Sequence, residues 1–208
     1  MELIELPMVG DINESDIPTV EEYNFWTDAF KTRTFYIDFE IDDDYRLMEI
    51  AKCIMRFNYE DHGKPIEERQ KIYILIHSFG GDAHQSAFFC DMLIASKTPI
   101  VTVALGACMS AACEILMAGH RRYAFRHSIL LIHSGHAAFS GTAEQIDAAN
   151  KNYKKMQAQS KEYILDRTNI DEKLYKANAA KDWYINSEDF VRLGIVDKVI
   201  ENLDEIFE

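Results

Sequence analysis

Basic residues are scarce in this chain of 208 residues: 22 Lys and Arg face 35 Asp and Glu, a formal net charge of −13. So acidic a surface repels phosphate backbones, which argues against general affinity for DNA or RNA. Cysteine is sparse too. Cys53, Cys90, Cys108 and Cys113 form no C-x-x-C pair and lie in apolar stretches. That argues against an extracellular disulfide framework and predicts reduced, buried thiols. Cys108, two residues from Ser110, is the one expected to be sensitive to oxidation. Long apolar runs are missing as well, because Glu114 interrupts the best candidate, so no membrane span is expected. The start, Met1-Glu2-Leu3-Ile4-Glu5-Leu6-Pro7, is acidic and lacks the basic opening and apolar run of a signal peptide. Together these features predict a single cytoplasmic domain with enough chain for a substantial core.

What is present is an alternation of strand-like and helix-like segments. Thr34–Ile37, Lys71–Ile76, Ile100–Leu105, Arg122–Phe125 and Ser128–Ile132 read as strands. Asp44–Phe57, Ala83–Ser96 and Ser110–Ala118 read as helices, the first capped by the acidic run Asp42-Asp43-Asp44. Such alternation predicts an α/β fold with a largely parallel sheet covered by helices. Thr142–Arg167 is the longest predicted helix. Ile146, Ala149, Tyr153, Met156, Ser160 and Tyr163 recur along it at three- and four-residue steps. About 25 residues of helix span roughly 38 Å, more than its neighbours need for cover. Residues 1–30 mix Pro7, Gly10 and Pro18 with acids and aromatics and match neither pattern.

Chemistry concentrates in three places. Ser110 stands in Gly106-Ala107-Cys108-Met109-Ser110-Ala111-Ala112-Cys113, opening onto Ile115-Leu116-Met117-Ala118. A hydroxyl at a helix start faces free N–H groups and the positive dipole end, which favour a developing negative charge. That suits a nucleophile and its tetrahedral intermediate; taken alone, a helix cap is the commoner role. His133 ends the apolar run Ile129-Leu130-Leu131-Ile132, whereas His127 and His136 do not directly terminate such a run. Asp182, beside Trp183 and Tyr184, is an acid that aromatics can shield from water, able to hold an imidazole in one tautomer. Singly, His133 and Asp182 also fit a solvated strand end and a turn cap. The third place is Ile74-Leu75-Ile76-His77-Ser78-Phe79-Gly80-Gly81-Asp82, a strand running into a Gly-Gly turn that brings N–H groups against a ligand oxygen.

Together these segments resemble the Clp protease proteolytic subunit family. That family's Asn-Ser-Pro-Gly-Gly turn corresponds to His77-Ser78-Phe79-Gly80-Gly81, and its Gly-Gln-Ala-Ala-Ser-Met segment to Gly106-Ala107-Cys108-Met109-Ser110-Ala111. Leu131-Ile132-His133 matches its Met-Ile-His. Lys181-Asp182-Trp183-Tyr184-Ile185-Asn186-Ser187 matches its Arg-Asp stretch, and Glu188–Asp197 its closing Gly-Leu-Val-Asp pattern. The resemblance runs from about Lys31 to Ile200. It implies a spiral of β-β-α units shared with crotonases, from which helix 142–167 protrudes as a handle, with residues 1–30 as an axial-loop segment before a peptidase domain over 31–208. It also implies a Ser110–His133–Asp182 triad, an oxyanion hole from the backbone N–H groups of Gly81 and Ala111, and no cofactor. The implied assembly is a homo-oligomer of heptameric rings, a tetradecamer, fed unfolded polypeptides by a hexameric AAA+ Clp ATPase.

Departures from the family pattern are specific. Phe79 replaces a Pro, Ser134-Gly135 replaces Gln-Pro, and Lys181 replaces Arg. The charged loop Asp61–Gln70 is long, and Glu114 takes an apolar position. A divergent or phage-type member fits these changes. The alternatives are a noncatalytic or capsid-associated paralogue, or a crotonase-type acyl-CoA enzyme, which relies on acidic residues instead of a triad. A nucleophile elbow would need Gly where Cys108 and Ala112 stand. A metal set of His133 and His136 with His77, Asp82 or His84 lacks the spacing of a helical zinc pair, so no metal site is expected.

Overall fold

Apolar β-rich segments separated by helices pair side by side in the computed structural model, which describes residues 27–42 and 45–207. Its strands are β1 (Thr34–Ile37), β2 (Ile72–Ser78), β3 (Ile100–Met109), β4 (Arg121–Phe125), β5 (Ile129–Ile132), β6 (Trp183–Ile185) and β7 (Lys198–Ile200). The order β1-β2-β3-β4-β7 is parallel throughout, with β5 parallel to β3 and β6 antiparallel to β5. Ile72, Ile74 and Ile76 of β2 are fully buried, as expected for a parallel strand covered by helices. The expected fold class is therefore the observed one.

The helices are α1 (Arg46–Glu60), α2 (Ala83–Ala95), α3 (Ala111–Ala118), α4 (Ala143–Arg167), α5 (Glu172–Asn178) and α6 (Ser187–Phe190). Helix α1 buries Leu47, Ile50, Ile54 and Phe57, the three- and four-residue stripe of a surface helix. Helix α3 is apolar all round and buries every residue but Glu114. It is the central helix, in contact with α2, β3 and α4. No helix of the described residues is long and apolar enough to cross a membrane. The expectations for residues 1–26, and the acidic cap at 43 and 44, lie outside the described residues.

One boundary differs from expectation for an identifiable reason. β3 runs on through the small residues Gly106, Ala107 and Cys108 because it changes partner midway. Val101–Ala104 pair with β4, and Ala107–Met109 pair with β5. The register against β2 slips between Ile76 and Ser78, where His77 Nδ1 accepts the Ala107 N–H at 3.2 Å. Asp61, at the start of the charged loop, is buried. It is 1% exposed and takes hydrogen bonds from Arg33, from Lys64 Nζ at 2.8 Å and from Thr98 Oγ1 at 3.2 Å. Its partner Arg33 is itself 7% exposed and lies over the Phe57 ring.

The Arg33 hydrogen bond outweighs burial and holds the Asp61 carboxyl at about 2, below the usual carboxylate range. The pair's contribution is thus present above the ordinary carboxylate value of about 3.9 and is lost as pH falls toward about 2. Asp61→Asn removes the main partner of buried Arg33, leaving it Glu60 Oε2 at 3.8 Å and the Gln70 carbonyl at 3.0 Å. The expected cost is about 3–5 kcal/mol, or roughly 6–20 °C in Tm for a chain of this size. Thermal unfolding followed by circular dichroism at neutral pH measures it. A drop below about 2 °C would show that Arg33 finds another partner.

Candidate functional site

Strand register assembles the site. Met109 at the end of β3 pairs with Leu131, and the Ser110 N–H donates to the Leu131 carbonyl at 2.9 Å. Ser110 and His133 therefore leave the same end of the sheet. Ile132 of β5 pairs with Trp183 of β6, which sets Asp182, the residue before Trp183, beside His133. Three segments distant in sequence converge because two short ladders end together.

Ser110 forms the turn from β3 into α3 with φ 53° and ψ −124°, one of two described non-glycine residues at positive φ. Strain of this kind persists only where surrounding packing enforces it. The Gly-x-Ser-x-Gly spacing is absent, yet the strained strand-to-helix turn that such a motif builds is present. Its hydroxyl makes no capping bond. Instead Ser110 Oγ lies 2.6 Å from His133 Nε2, so the capping role is not the one adopted.

Gly80 fits directly against this turn. At φ 100°, a Cβ on it would stand 2.6 Å from the Met109 carbonyl oxygen and 2.9 Å from Ser110 Cβ. Gly81, at φ 147°, would drive a Cβ to 1.8 Å from the Ile41 carbonyl oxygen. Both positions demand glycine: Gly80 packs against the start of α3, and Gly81 against the Ile41 backbone. Ala111 is the first residue of that helix, where a backbone N–H has no intrahelical acceptor.

The His133 ring is nearly covered, with 14% of its side chain exposed, whereas Asp182 is 53% exposed. The shielding expected from Trp183 and Tyr184 is not found: Tyr184 is itself exposed, and Asp182 precedes β6 at the surface. His133 Nδ1 lies 3.6 Å from Asp182 Oδ1, beyond hydrogen-bond length. Burial chiefly, and then the field of His136, lower the His133 pKa below its usual value; Asp182 pulls the other way without prevailing.

His136 was not among the expected site residues. Its ring centroid lies 5.0 Å from that of His133. Ligand atoms of His133, His136 and Asp182 all fall within 4.8 Å of one another. Of the other residues weighed as metal partners, His77 is occupied with Ala107, and Asp82 caps α2 by accepting the backbone N–H groups of His84 and Gln85. The cue for His136 was Gly135, which at φ 79° turns the chain back.

A narrow hollow beside Ser110 is walled by His133, Leu131, Met117, Ile164 and Glu114. Glu114 faces α4, accepting the Ser160 hydroxyl at 2.6 Å, while Tyr163 donates to its carbonyl at 2.9 Å. Burial raises its carboxyl pKa. Cys108 is fully buried and its thiol pKa is raised well above the usual value by burial, so the expected oxidation sensitivity is not supported.

The Clp protease family matches residues 19–203. The ATP-dependent Clp protease proteolytic subunit 2 of Treponema denticola is 33% identical over 139 residues, covering 66% of this chain and 70% of that protein. The ATP-dependent Clp protease proteolytic subunit of Deinococcus radiodurans is 22% identical over 185 residues, covering 88% of this chain and 87% of that protein. With a family match across most of its length, the chain belongs to the Clp protease family.

Proposed function

We propose that the protein is a serine endopeptidase subunit acting on unfolded polypeptides inside an oligomeric chamber. The observation that carries this reading is the 2.6 Å contact between Ser110 Oγ and His133 Nε2 at a strained helix start. Ser110 Oγ attacks the scissile carbonyl carbon and its proton passes to His133 Nε2. The resulting oxyanion is held by the N–H groups of Gly81 and Ala111. His133 gives the proton to the leaving amine, then takes one from the water that attacks the acyl-enzyme and passes it to Ser110 Oγ as the acyl–Oγ bond breaks. Asp182 keeps the other ring proton on Nδ1 and stabilises the imidazolium. No cofactor enters these steps. Passage into the chamber selects the substrate, with a AAA+ Clp ATPase as unfolding partner and paired heptameric rings as the assembly.

Reaction with a fluorophosphonate, followed by peptide mapping, tests the nucleophile. The adduct is expected on Ser110 and lost in His133→Ala. An adduct on another serine, or none at neutral pH, refutes the reading.

The acid limb of activity follows from the His133 environment. The base works only when neutral, so activity falls as pH drops through its pKa. That limb is expected below about 6.5, the unperturbed imidazole value. His136→Ala removes a neighbour whose field lowers the pKa, so the limb should move to higher pH. A kcat/KM profile in chelator-containing buffer gives the answer, and an unmoved limb would show that His136 has no influence on the base.

A further inference from the structure

We propose that His133, His136 and Asp182 form a Zn²⁺ site whose occupation switches the peptidase off. The switching half rests on the Ser110–His133 reading above; the site itself does not.

Two imidazoles and one carboxylate are a donor set suited to zinc, leaving a fourth position for water. With bonds of about 2.0–2.2 Å, a tetrahedral ion holds its donors about 3.3–3.5 Å apart. His133 Nδ1 and Asp182 Oδ1, at 3.6 Å, already stand near that spacing. One ring nitrogen of His136 lies within 4.8 Å of a donor atom on each of the other two residues, and its ring is exposed.

The pair of histidines is held by a pinned turn instead of a helix. The Ser134 N–H donates to the Ala179 carbonyl at 2.8 Å. The Ser134 carbonyl accepts from Tyr153 Oη at 3.2 Å and Gln157 Nε2 at 2.7 Å. Gly135, in the left-handed region, then reverses the chain so that His136 meets His133 with ring planes at 64°. A Cβ at Gly135 would come 3.1 Å from Tyr153 Oη. The H-x-x-H spacing, unsuited to a helix, is thus made workable by this turn.

Inhibition follows from proton bookkeeping on one ring. In the working state His133 carries its proton on Nδ1 and accepts at Nε2. Zinc takes the Nδ1 lone pair, so the single proton of the neutral imidazole must sit on Nε2. No proton is gained or lost by this shift. Nε2 then donates to Ser110 Oγ across the 2.6 Å contact and cannot accept its proton. Asp182, bound to the ion, no longer stabilises an imidazolium.

Calorimetric titration of tag-free wild type, Ser110→Ala and His136→Ala with ZnCl₂ tests the site, and a peptidase assay over the same zinc range tests the switch. One ion per subunit is expected in wild type and equally in Ser110→Ala, since Ser110 is not a ligand. Loss of outer-shell partners alone weakens metal sites 10- to 100-fold, so His136→Ala should bind at least about 100-fold more weakly. Hydrolysis by wild type should fall to background at saturation and return with chelator, while His136→Ala should need correspondingly more zinc. Absence of binding, or binding unchanged in His136→Ala, overturns the site. Full activity at saturation overturns the switch. A wild type without activity even in chelator overturns the switch together with the peptidase reading, and the calorimetry then decides the site alone.

Discussion

Ser110→Ala is expected to lower peptide hydrolysis by about 10⁴- to 10⁶-fold while leaving the fold intact. The size follows from the hydroxyl's position. Its oxygen is the atom that contacts His133 Nε2, and its loss removes the nucleophile and the proton donor together. The harmlessness to the fold follows from what the hydroxyl does not do. It caps nothing in α3, whose first turn is closed by the Ser110 carbonyl accepting from Cys113 and Glu114. Alanine carries the same backbone strain at positive φ as serine, so the turn is no harder to form. The measurement is cleavage of a short fluorogenic peptide beside a thermal melt. A variant hydrolysing at near wild-type rate with an unchanged melt would falsify the mechanism. A variant that melts far below wild type would show that Ser110 is structural.

How much of this was legible depends on where each interaction's partners lie in sequence. Ser110 was visible because it starts a helix, in a stretch of small residues opening onto an apolar run. His133 was visible because it ends the apolar run Ile129–Ile132, where a strand that stops at the sheet edge aims its next residue out of the core. The Gly80-Gly81 turn was visible as two glycines after an apolar strand, and the structure uses both, at φ of 100° and 147°. The extension of β3 to Met109 was not, since Gly106, Ala107 and Cys108 have weak strand preference and pair only because β5 takes over from β4. The Arg33–Asp61 pair spans 28 residues, and no local pattern announces it. The exposure of Asp182 was missed for a related reason. Flanking aromatics say what is near in sequence, whereas β6 is a three-residue edge segment that leaves its preceding residue in water. The apolar stripe on the long helix needs the same correction. Tyr153, Ser160 and Tyr163 are used within the chain, by Ser134 and Glu114.

The remaining stripe points to assembly, and the second large effect is expected there. On the proposed assembly of paired rings, Ile146→Asp combined with Met156→Asp should split the particle into single rings or smaller species and abolish peptide hydrolysis, although Ser110, His133 and Asp182 are untouched. Helix α4 has 25 residues and buries only Ile164. Its C-terminal third is fastened to α3 by Ser160, Tyr163 and Arg167. Its first turns, before Tyr153, stand clear, with Ile146 37% exposed. Burying such a side chain fully is worth about 1.5–3 kcal/mol, and a closed symmetric assembly repeats the gain at every copy. The link to catalysis is Asp182. In the single chain it is half in water and 3.6 Å from His133 Nδ1, so solvent screens its pull on the imidazole, and burial and His136 prevail. A neighbouring subunit that covers Asp182 would strip that water and let the carboxylate close to hydrogen-bond distance. Splitting the particle should therefore slow fluorophosphonate reaction at Ser110 as well as hydrolysis, a loss that mere leakage from an opened chamber cannot produce. Sedimentation velocity with both assays on the double variant decides it. A dissociated species that keeps full activity, or a monomeric wild type that is already active, would leave a simpler serine hydrolase whose triad needs no neighbour.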